Sequence, residues 1–414
     1  MTNIPALTAL RFLAALAVFL HHWLSLDGHL FWGDDFILVV HENPILRLMW
    51  EGRFGVTLFF ALSGFLLTVC HYGDFNKKSG WGRFFLKRAA RILPLYFFLL
   101  ALLFLLHIAM QRHYHLPMDR YFVYATLTQA FFADLKFNGM ETAWSLTVEW
   151  CFYLTLPMMI LMLRRIWRDD AGLARNLSLS TVALFLIGLI LLLIGTMLRR
   201  QEVFTLWGFM ETVQDWRSYT YFGRFYDFAF GMIAGMIYIK SGNRWLRRPP
   251  LADAAVAASS AGILILCYLS YGLGGIETYH GWLLNLPGAL LSAVFIYFLC
   301  CREGRISRVL SWKPFVYLGQ ISFALYLIHK WDFTNWIYKK LAATDIPAIV
   351  SILALYVFFS LVSAALYELI ERPGQWWVLR MAGGRRNARP PWAIRRFREW
   401  RGLPAPAEAE APLG

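Results

Sequence analysis

Charged residues are scarce in this sequence of 414 residues. Only 16% are Asp, Glu, Lys or Arg and 58% are hydrophobic, whereas about a quarter of a soluble domain is charged. This composition excludes an ordinary soluble protein. Apolar runs of the roughly 20 residues needed to cross a bilayer recur along the chain, so we predict one polytopic membrane domain.

Cysteines are also few, and the familiar motifs of soluble enzymes are missing. The five cysteines lie in or at the end of apolar segments, and their spacing fits neither a metal site nor a disulfide framework. The sequence contains no phosphate-binding loop, dinucleotide fingerprint or nucleophile elbow. We therefore expect no bound metal.

Acidic residues are in the minority, with 26 Asp and Glu against 40 Lys and Arg and a net charge of +14. Such an excess is also typical of nucleic-acid-binding proteins. Here the cations lie in alternate loops, and no basic stretch is interleaved with aromatic residues as in a single-strand site. We expect the lipid bilayer as a partner and no nucleic acid.

Ten segments are apolar and long enough to span the membrane. Since backbone groups in lipid must be satisfied within each span, we predict an all-α polytopic protein with about ten transmembrane helices. The aromatic segment 121–135 has polar interruptions, which favour an interfacial or re-entrant position. The predicted spans cover residues 7–26, 54–73, 92–110, 142–163, 178–198, 222–240, 251–272, 282–301, 314–332 and 347–370.

Lys and Arg are divided unevenly between the two sides of these spans. About 27 lie in the loops and tail on the side of the N-terminus and about 11 on the other, which predicts that both termini are cytoplasmic. The first span lacks a charged leader and a cleavage site, as expected for an uncleaved anchor. Residues 1–372 form the predicted membrane domain, and residues 373–414 a basic, then Ala/Pro/Glu-rich cytoplasmic tail.

The first span carries ionisable residues, which are costly in lipid and therefore candidates for function. Arg11 and His22 lie about 20° apart around the helix and about 16 Å apart along it. His21 points about 80° away from Arg11 and is expected to pack or to touch headgroups. The alternative is that Arg11 and His22 extend to opposite membrane surfaces.

The outer layer contains four more candidates. Glu149, in "ETAWSLTVEWCFYLTLP", lies at the depth of His22, so a His–carboxylate hydrogen bond that fixes the imidazole tautomer is possible. A Glu149 bonded to a Tyr or Trp for packing is the alternative. Arg224, Asp227 and His329 lie at a depth suited to a polar acceptor, but the first two equally fit a local ion pair and His329 equally fits a helix end.

The inner layer and the middle of the second span supply the remaining candidates. Arg88 and Arg91, in "RFFLKRAARILPLY", share a face before a turn at Pro94, and their forks suit phosphate oxygens. Anchoring to lipid headgroups is the alternative. Ser63, beside Gly64 in "GVTLFFALSGFLLT", allows close helix approach or a narrow channel, and is a nucleophile only with a base beside it.

Six stretches occur in an order that resembles the membrane acyltransferase-3 family, whose integral-membrane members modify bacterial surface glycans. The resemblance extends from Arg11 to Pro373 and is to the stand-alone branch, without a fused hydrolase-like domain. The stretches are the Arg11–His22 pair, "GVTLFFALSGFLL" (55–67), "RAARILPLY" (88–96), "WSLTVEWCFYLTLP" (144–157), "LGQISFALYLIH" (318–329) and "YELIERP" (367–373).

The resemblance implies an acyl-coenzyme A donor in the cytoplasm and an acceptor on the far side of a bacterial inner membrane. It implies that His22 is the essential histidine, with Glu149 in the same catalytic layer, although His21 stands where the family commonly has an aromatic residue. Donor contacts are expected from Arg11, Arg88, Arg91 and Ser63, and acceptor contacts from Arg224, Asp227 and His329.

The sequence therefore predicts transfer of an acyl group, with acetyl expected, to a hydroxyl of a surface glycan or glycolipid, with His22 as base. One alternative is a transporter or flippase of a polar glycolipid, in which the buried Arg, His and Glu would form a substrate path or proton relay. Another is a polytopic glycosyltransferase with a lipid-phosphate donor. Such an enzyme favours acidic metal-binding motifs in the outer loops, for which the Asp34–Asp35 pair gives only weak evidence.

Overall fold

Helix follows helix along the chain, as the apolar runs predict. The computed structural model describes residues 4–76, 78–110, 120–168, 172–200, 208–241, 244–273, 284–331, 337, 339–341, 343–344, 346–382 and 391. Within these ranges all regular secondary structure is helical, apart from an isolated β-bridge between Phe132 and Phe209. The all-α fold is therefore confirmed for the described residues, whereas the predicted tail beyond residue 382 lies almost wholly outside them.

Most residues of the described ranges lie in α-helices. A π-helical turn, Trp23–Asp27, follows the first helix, and a second, Tyr367–Glu371, joins the last two. The helices are α1 Pro5–His22, α2 His29–Trp32, α3 Phe36–Glu42, α4 Pro44–Trp50, α5 Phe54–His71, α6 Lys78–Met110, α7 Tyr121–Ala125, α8 Trp144–Ile166, α9 Leu173–Arg200, α10 Val213–Tyr219, α11 Tyr221–Lys240, α12 Pro249–Gly272, α13 Asn285–Leu299, α14 Arg305–Leu310, α15 Lys313–Ile328, α16 Ala348–Leu366 and α17 Arg372–Met381.

Seven helical segments of the described chain are long and apolar enough to cross a membrane, and each matches one predicted span. The other three predicted spans are also helical. Of these, α13 and α15 have only 15 and 16 residues, and α11 carries Arg224 and Asp227 among its apolar residues. The seven segments are Pro5–Ser25, Phe54–His71, Gly80–Leu106, Glu141–Ile166, Leu173–Leu198, Pro249–Gly272 and Ala348–Met381.

The helix α6 begins earlier than the sequence predicts. The expectation that Pro94 lies in a turn is wrong, because α6 runs unbroken from Lys78 through Pro94 to Met110. A proline removes one intrahelical hydrogen bond but need not end the helix. Gly374 of α17 packs against the Pro94 ring, where a Cβ atom would collide. Arg88 and Arg91 therefore project from the body of a long helix.

The segment 121–135 forms short turns rather than a spanning helix. It comprises α7 and a single 3₁₀ turn, Gln129–Phe131. The Tyr124 hydroxyl donates to the Leu135 carbonyl oxygen at 2.8 Å, and Tyr96 of α6 donates to the Tyr124 carbonyl oxygen at 2.7 Å. Burial raises the pKa of Tyr124, so its hydroxyl stays protonated and holds the segment on the helices.

Glycines bring the central helices into backbone contact. A Cβ atom at Gly64 of α5 would collide with the Phe228 carbonyl oxygen of α11, and one at Gly231 with that of Ala61. Gly319 does the same for α15, since a Cβ atom there would meet the carbonyl oxygen of Thr8 in α1. The α1 and α15 helices therefore lie close together, which matters for the side chains at their ends.

Candidate functional site

A cavity lies among helices α1, α5, α6, α8 and α15. Its volume is about 80 Å³, enough for a short chain or a few water molecules. Phe59, Phe60 and Phe323 contribute to apolar walls that hold charged and hydroxyl side chains at fixed positions. The polar lining residues are Arg11, Ser63, Arg91, Ser145, Glu149, Ser322 and Tyr326.

Glu149 is the acidic group on the cavity wall. Ser63 donates a hydrogen bond to Glu149 Oε1 at 2.8 Å, and the buried Tyr153, one helical turn further along α8, is also hydrogen-bonded to Glu149. The packing alternative for this carboxylate, a bond to a tyrosine, is therefore observed. Glu149 nevertheless lines the cavity. Its carboxylate is therefore hydrogen-bonded to two hydroxyls and still faces open space.

Three arginines surround this carboxylate. Arg11 lies within electrostatic range of Arg88, Arg91 and Glu149. The buried Glu371, at the end of the second π-helical turn, interacts with Arg91 and Arg11. With three guanidinium groups against two carboxylates, this part of the site is cationic overall and suited to an anion.

Glu371 is not among the site residues predicted from the sequence, although it lies in the quoted "YELIERP" stretch. An ionisable residue at the end of an apolar helix was the available signal. Arg91 lines the cavity, whereas Arg88 is not among the described residues that line it. The two predicted donor-binding arginines therefore lie at different distances from the cavity, and both are half-buried.

The two histidines of α1 have different environments. The His21 ring is buried, and its Nδ1 is hydrogen-bonded to the Trp50 carbonyl oxygen. The His22 Nδ1 lies 2.8 Å from His329 Nε2, with the ring centroids 5.0 Å apart. The packing of His21 agrees with the helical phase, and the functional role of His22 stays a prediction.

The expected hydrogen bond between His22 and Glu149 is not what the structure shows. Glu149 is bonded to Ser63 and Tyr153, and the ring that contacts His22 belongs to His329. A shared depth fixes only the position along two helices, whereas the partner depends on which faces pack together. The close contact of α15 with α1 brings His329 to His22.

The histidine pair lies beside the cavity, and neither histidine is among the described residues that line it. Tyr326, which lines the cavity, has its ring centroid 6.1 Å from that of His329. Its hydroxyl donates to Ser145 Oγ at 2.8 Å. Tyr326 therefore separates the cationic cavity from the two imidazoles, and α1 contributes to both, with Arg11 on one side and His22 on the other.

Arg224 and Asp227 form the local ion pair that was the alternative to acceptor binding. Arg224 Nε lies 2.7 Å from Asp227 Oδ2, and both side chains are buried. Arg224 also donates to Thr57 Oγ1 at 2.9 Å. Its guanidinium lies 5.5 Å from the centroid of Phe60, which lines the cavity. The pair thus lies behind the cavity wall, where it supports α5 and α11.

The chain is similar to known acyltransferases. The family model described as an acyltransferase domain matches residues 4–368. The acyltransferase MdmB of Streptomyces mycarofaciens is 31% identical over 185 residues, which are 42% of this chain and 44% of that protein. No solved structure matches the chain significantly.

Two further relatives align over most of the chain. The O-acetyltransferase OatA of Staphylococcus aureus is 21% identical over 84% of this chain and 56% of its own length. The peptidoglycan O-acetyltransferase OatA of Listeria monocytogenes is 22% identical over 79% of this chain and 49% of its own length. The chain thus spans about half the length of the curated relatives it matches. Because the family model covers nearly all of its residues, the chain belongs to the acyltransferase-3 family.

Proposed function

We propose that this chain is a membrane O-acyltransferase that transfers an acetyl group from acetyl-coenzyme A to a hydroxyl of a bacterial surface glycan or glycolipid. The names of the relatives, an O-acetyltransferase and a peptidoglycan O-acetyltransferase, support the reaction and the acceptor class. One structural observation carries the proposal. The helix α1 contributes Arg11 to a cationic cavity and His22 to a histidine pair.

In this proposal the arginines in and beside the cavity bind the donor, and only its narrow pantetheine arm enters the cavity. Arg91, Arg88 and Arg11 bind the phosphates of coenzyme A, since a guanidinium fork fits two phosphate oxygens at once. Glu149 and Glu371 hold the arginines in place through the interactions described above. The acyl end of the donor then extends along α1, whose Arg11 and His22 are about 16 Å apart along the helix axis.

His22 acts as the general base. Its Nε2 takes the proton from the acceptor hydroxyl as the hydroxyl oxygen attacks the thioester carbonyl carbon. The new C–O bond forms, the C–S bond breaks, and the proton passes from His22 to the departing thiolate sulfur. An imidazole nitrogen can both accept and return a proton, which suits these two steps.

The donor and acceptor lie on opposite sides of the membrane in this proposal. We infer ten spans, with α11, α13 and α15 crossing beside the seven long segments, and both termini in the cytoplasm of a bacterial inner membrane. The excess of Lys and Arg on that side supports the orientation, and the close packing of α11 against α5 supports counting α11 among the spans. Single cysteines introduced at residues 34 and 312 and labelled with an impermeant maleimide test it, with labelling of intact cells expected only at residue 34.

The test of the reaction uses proteoliposomes with the full chain, radiolabelled acetyl-coenzyme A, and surface glycan extracted from cells that lack the protein. We expect acetyl transfer by the natural chain and by His21→Ala, and loss of at least 1,000-fold of the rate in His22→Ala, about 4 kcal/mol of transition-state stabilisation. Transfer by His22→Ala at the natural rate would overturn the assignment of the base. Glycan movement across the bilayer without acetyl transfer would favour the flippase instead.

A further inference from the structure

Both ring nitrogens of His329 take part in hydrogen bonds. Its Nδ1 lies 3.0 Å from the carbonyl oxygen of Leu325, one turn earlier in α15. Its Nε2 lies 2.8 Å from His22 Nδ1. The first of these partners has a fixed role, because a carbonyl oxygen accepts hydrogen bonds and donates none.

The Leu325 carbonyl therefore determines the protonation of both rings. His329 must carry its hydrogen on Nδ1 in order to donate to Leu325. A neutral imidazole has one N–H only, so Nε2 of His329 is an acceptor. The hydrogen between the rings then belongs to Nδ1 of His22. The second nitrogen of His22, Nε2, is left with a lone pair and no proton.

The surroundings of His329 keep its ring in this orientation. The side chain is 1% exposed, and its ring centroid lies 6.0 Å from that of Phe19 and 6.1 Å from that of Tyr326. His329 is the C-cap residue of α15, and its backbone N–H donates to the same Leu325 carbonyl oxygen at 3.2 Å. The ring Nδ1–H is a second donor to that oxygen, which has two lone pairs.

We propose that His329 is a positioning residue that holds His22 in the Nδ1–H tautomer, with the Nε2 lone pair available to the acceptor hydroxyl. The inference rests on the proposed function, in which His22 is the base. The role corresponds to that of the aspartate in a Ser-His-Asp triad, which orients the imidazole and selects its tautomer. Here the orienting group is a neutral imidazole, which is itself held by its hydrogen bond to a backbone carbonyl oxygen.

Substitutions of His329 separate this role from packing. His329→Phe keeps a planar ring but has no acceptor for His22 Nδ1–H, and we expect kcat to fall by about 100-fold or more. The KM for acetyl-coenzyme A should stay within about twofold, because the donor site is unchanged. His329→Gln places an amide oxygen near the position of Nε2 and should retain activity within about tenfold of the natural chain. The matched control is His21→Phe, which we expect to keep kcat within about threefold.

A spectroscopic measurement follows the tautomer itself. In ¹⁵N NMR of histidine-labelled protein in lipid, with His21→Phe as background, His22 should appear as the Nδ1–H form. It should lose that preference in His329→Phe and keep it in His329→Gln. A purely structural role of His329 would change the yield or melting temperature but not this signal.

The outcomes distinguish the inference from the proposed function. If His22→Ala is inactive while His329→Phe transfers acetyl at the natural rate, or if His22 is in the Nε2–H form, the positioning role is wrong and the function stands. If His329→Phe and His329→Gln lose activity equally and His22 keeps its tautomer in both, the role is also wrong. If His22→Ala transfers at the natural rate, the mechanism itself fails.

Discussion

The hydroxyl of Ser63 donates a hydrogen bond of 2.8 Å to Glu149 Oε1 and thereby joins α5 to α8 at the cavity wall. Hydrogen bonds to a charged group contribute about 1.5–3 kcal/mol. In this environment the bond orients the carboxylate toward the arginines and restricts its rotation. We therefore expect Ser63 to act on the proposed donor site through Glu149, without a nucleophilic role for its hydroxyl.

Replacement of Ser63 by Ala tests this role. We expect kcat/KM for acetyl-coenzyme A to fall by about tenfold, which corresponds to about 1.4 kcal/mol. The control is Ser322→Ala, since Ser322 lines the same cavity but donates to the Gly319 carbonyl of its own helix. Steady-state kinetics in the proteoliposome assay measure both. An equal effect of the two substitutions would contradict the role of the Ser63–Glu149 bond.

The sequence predicts the helices well because hydropathy and helical period are local properties. All ten predicted spans are helical, and the two neighbouring histidines of α1 have different partners, as the helical phase predicts. The position of a residue along the helix axis also follows from counting residues. The pairing of side chains on different helices does not, because it depends on the rotation of each helix about its axis.

The partner of His22 illustrates this limit. His329 is 307 residues away in the sequence, and its contact with His22 depends on the approach of α15 to α1 at Gly319. Glu149, at a similar depth, points instead toward Ser63 and the arginines. Glu371 was missed for a related reason, since its proximity to Arg11 and Arg91 exists only after the last helices pack against α6.

Replacement of Arg91 by Lys tests the binding of the donor phosphates. Lysine keeps the positive charge but loses the planar fork that binds two oxygens together. We expect the KM for acetyl-coenzyme A to rise by about tenfold with little change in kcat. Arg83→Lys is the control, because Arg83 lies on the same helix but is exposed. An unchanged KM in Arg91→Lys would mean that this arginine does not bind the donor.

Replacement of Asp227 by Asn tests the structural role of the buried ion pair. It leaves the buried Arg224 without its charge partner, and loss of one member of such a pair costs about 3–5 kcal/mol. We expect a lower melting temperature in detergent. The double variant Arg224→Met/Asp227→Leu should recover much of it, because no unpaired charge remains.

A hydrogen-bonded His–Asp pair with a half-exposed carboxylate provides the comparison for Asp227. His71 and Asp74 are also three residues apart, with Asp74 39% exposed, so Asp74→Asn should cost at most about 1 kcal/mol. If Asp227→Asn instead kept the natural melting temperature and raised the KM for the extracted glycan, the pair would bind the acceptor, as the sequence first suggested.

The contact of Gly319 with Thr8 links the packing of α15 to the proposed chemistry of His22. In Gly319→Ala the new methyl group would meet the Thr8 carbonyl oxygen, and Ala9 Cα lies 3.1 Å from its position. Because backbone cannot yield as a flexible side chain does, α15 must move away from α1 and take His329 with it. We expect at least a tenfold lower kcat and an unchanged KM for acetyl-coenzyme A, measured in the same assay.

Gly82→Ala in α6 is the control, because nothing lies within 4 Å of the new methyl group there. It should preserve activity and stabilise the helix by roughly 0.5–1 kcal/mol. If Gly319→Ala turned over at the wild-type rate, the distance between the two imidazoles would not control the reaction.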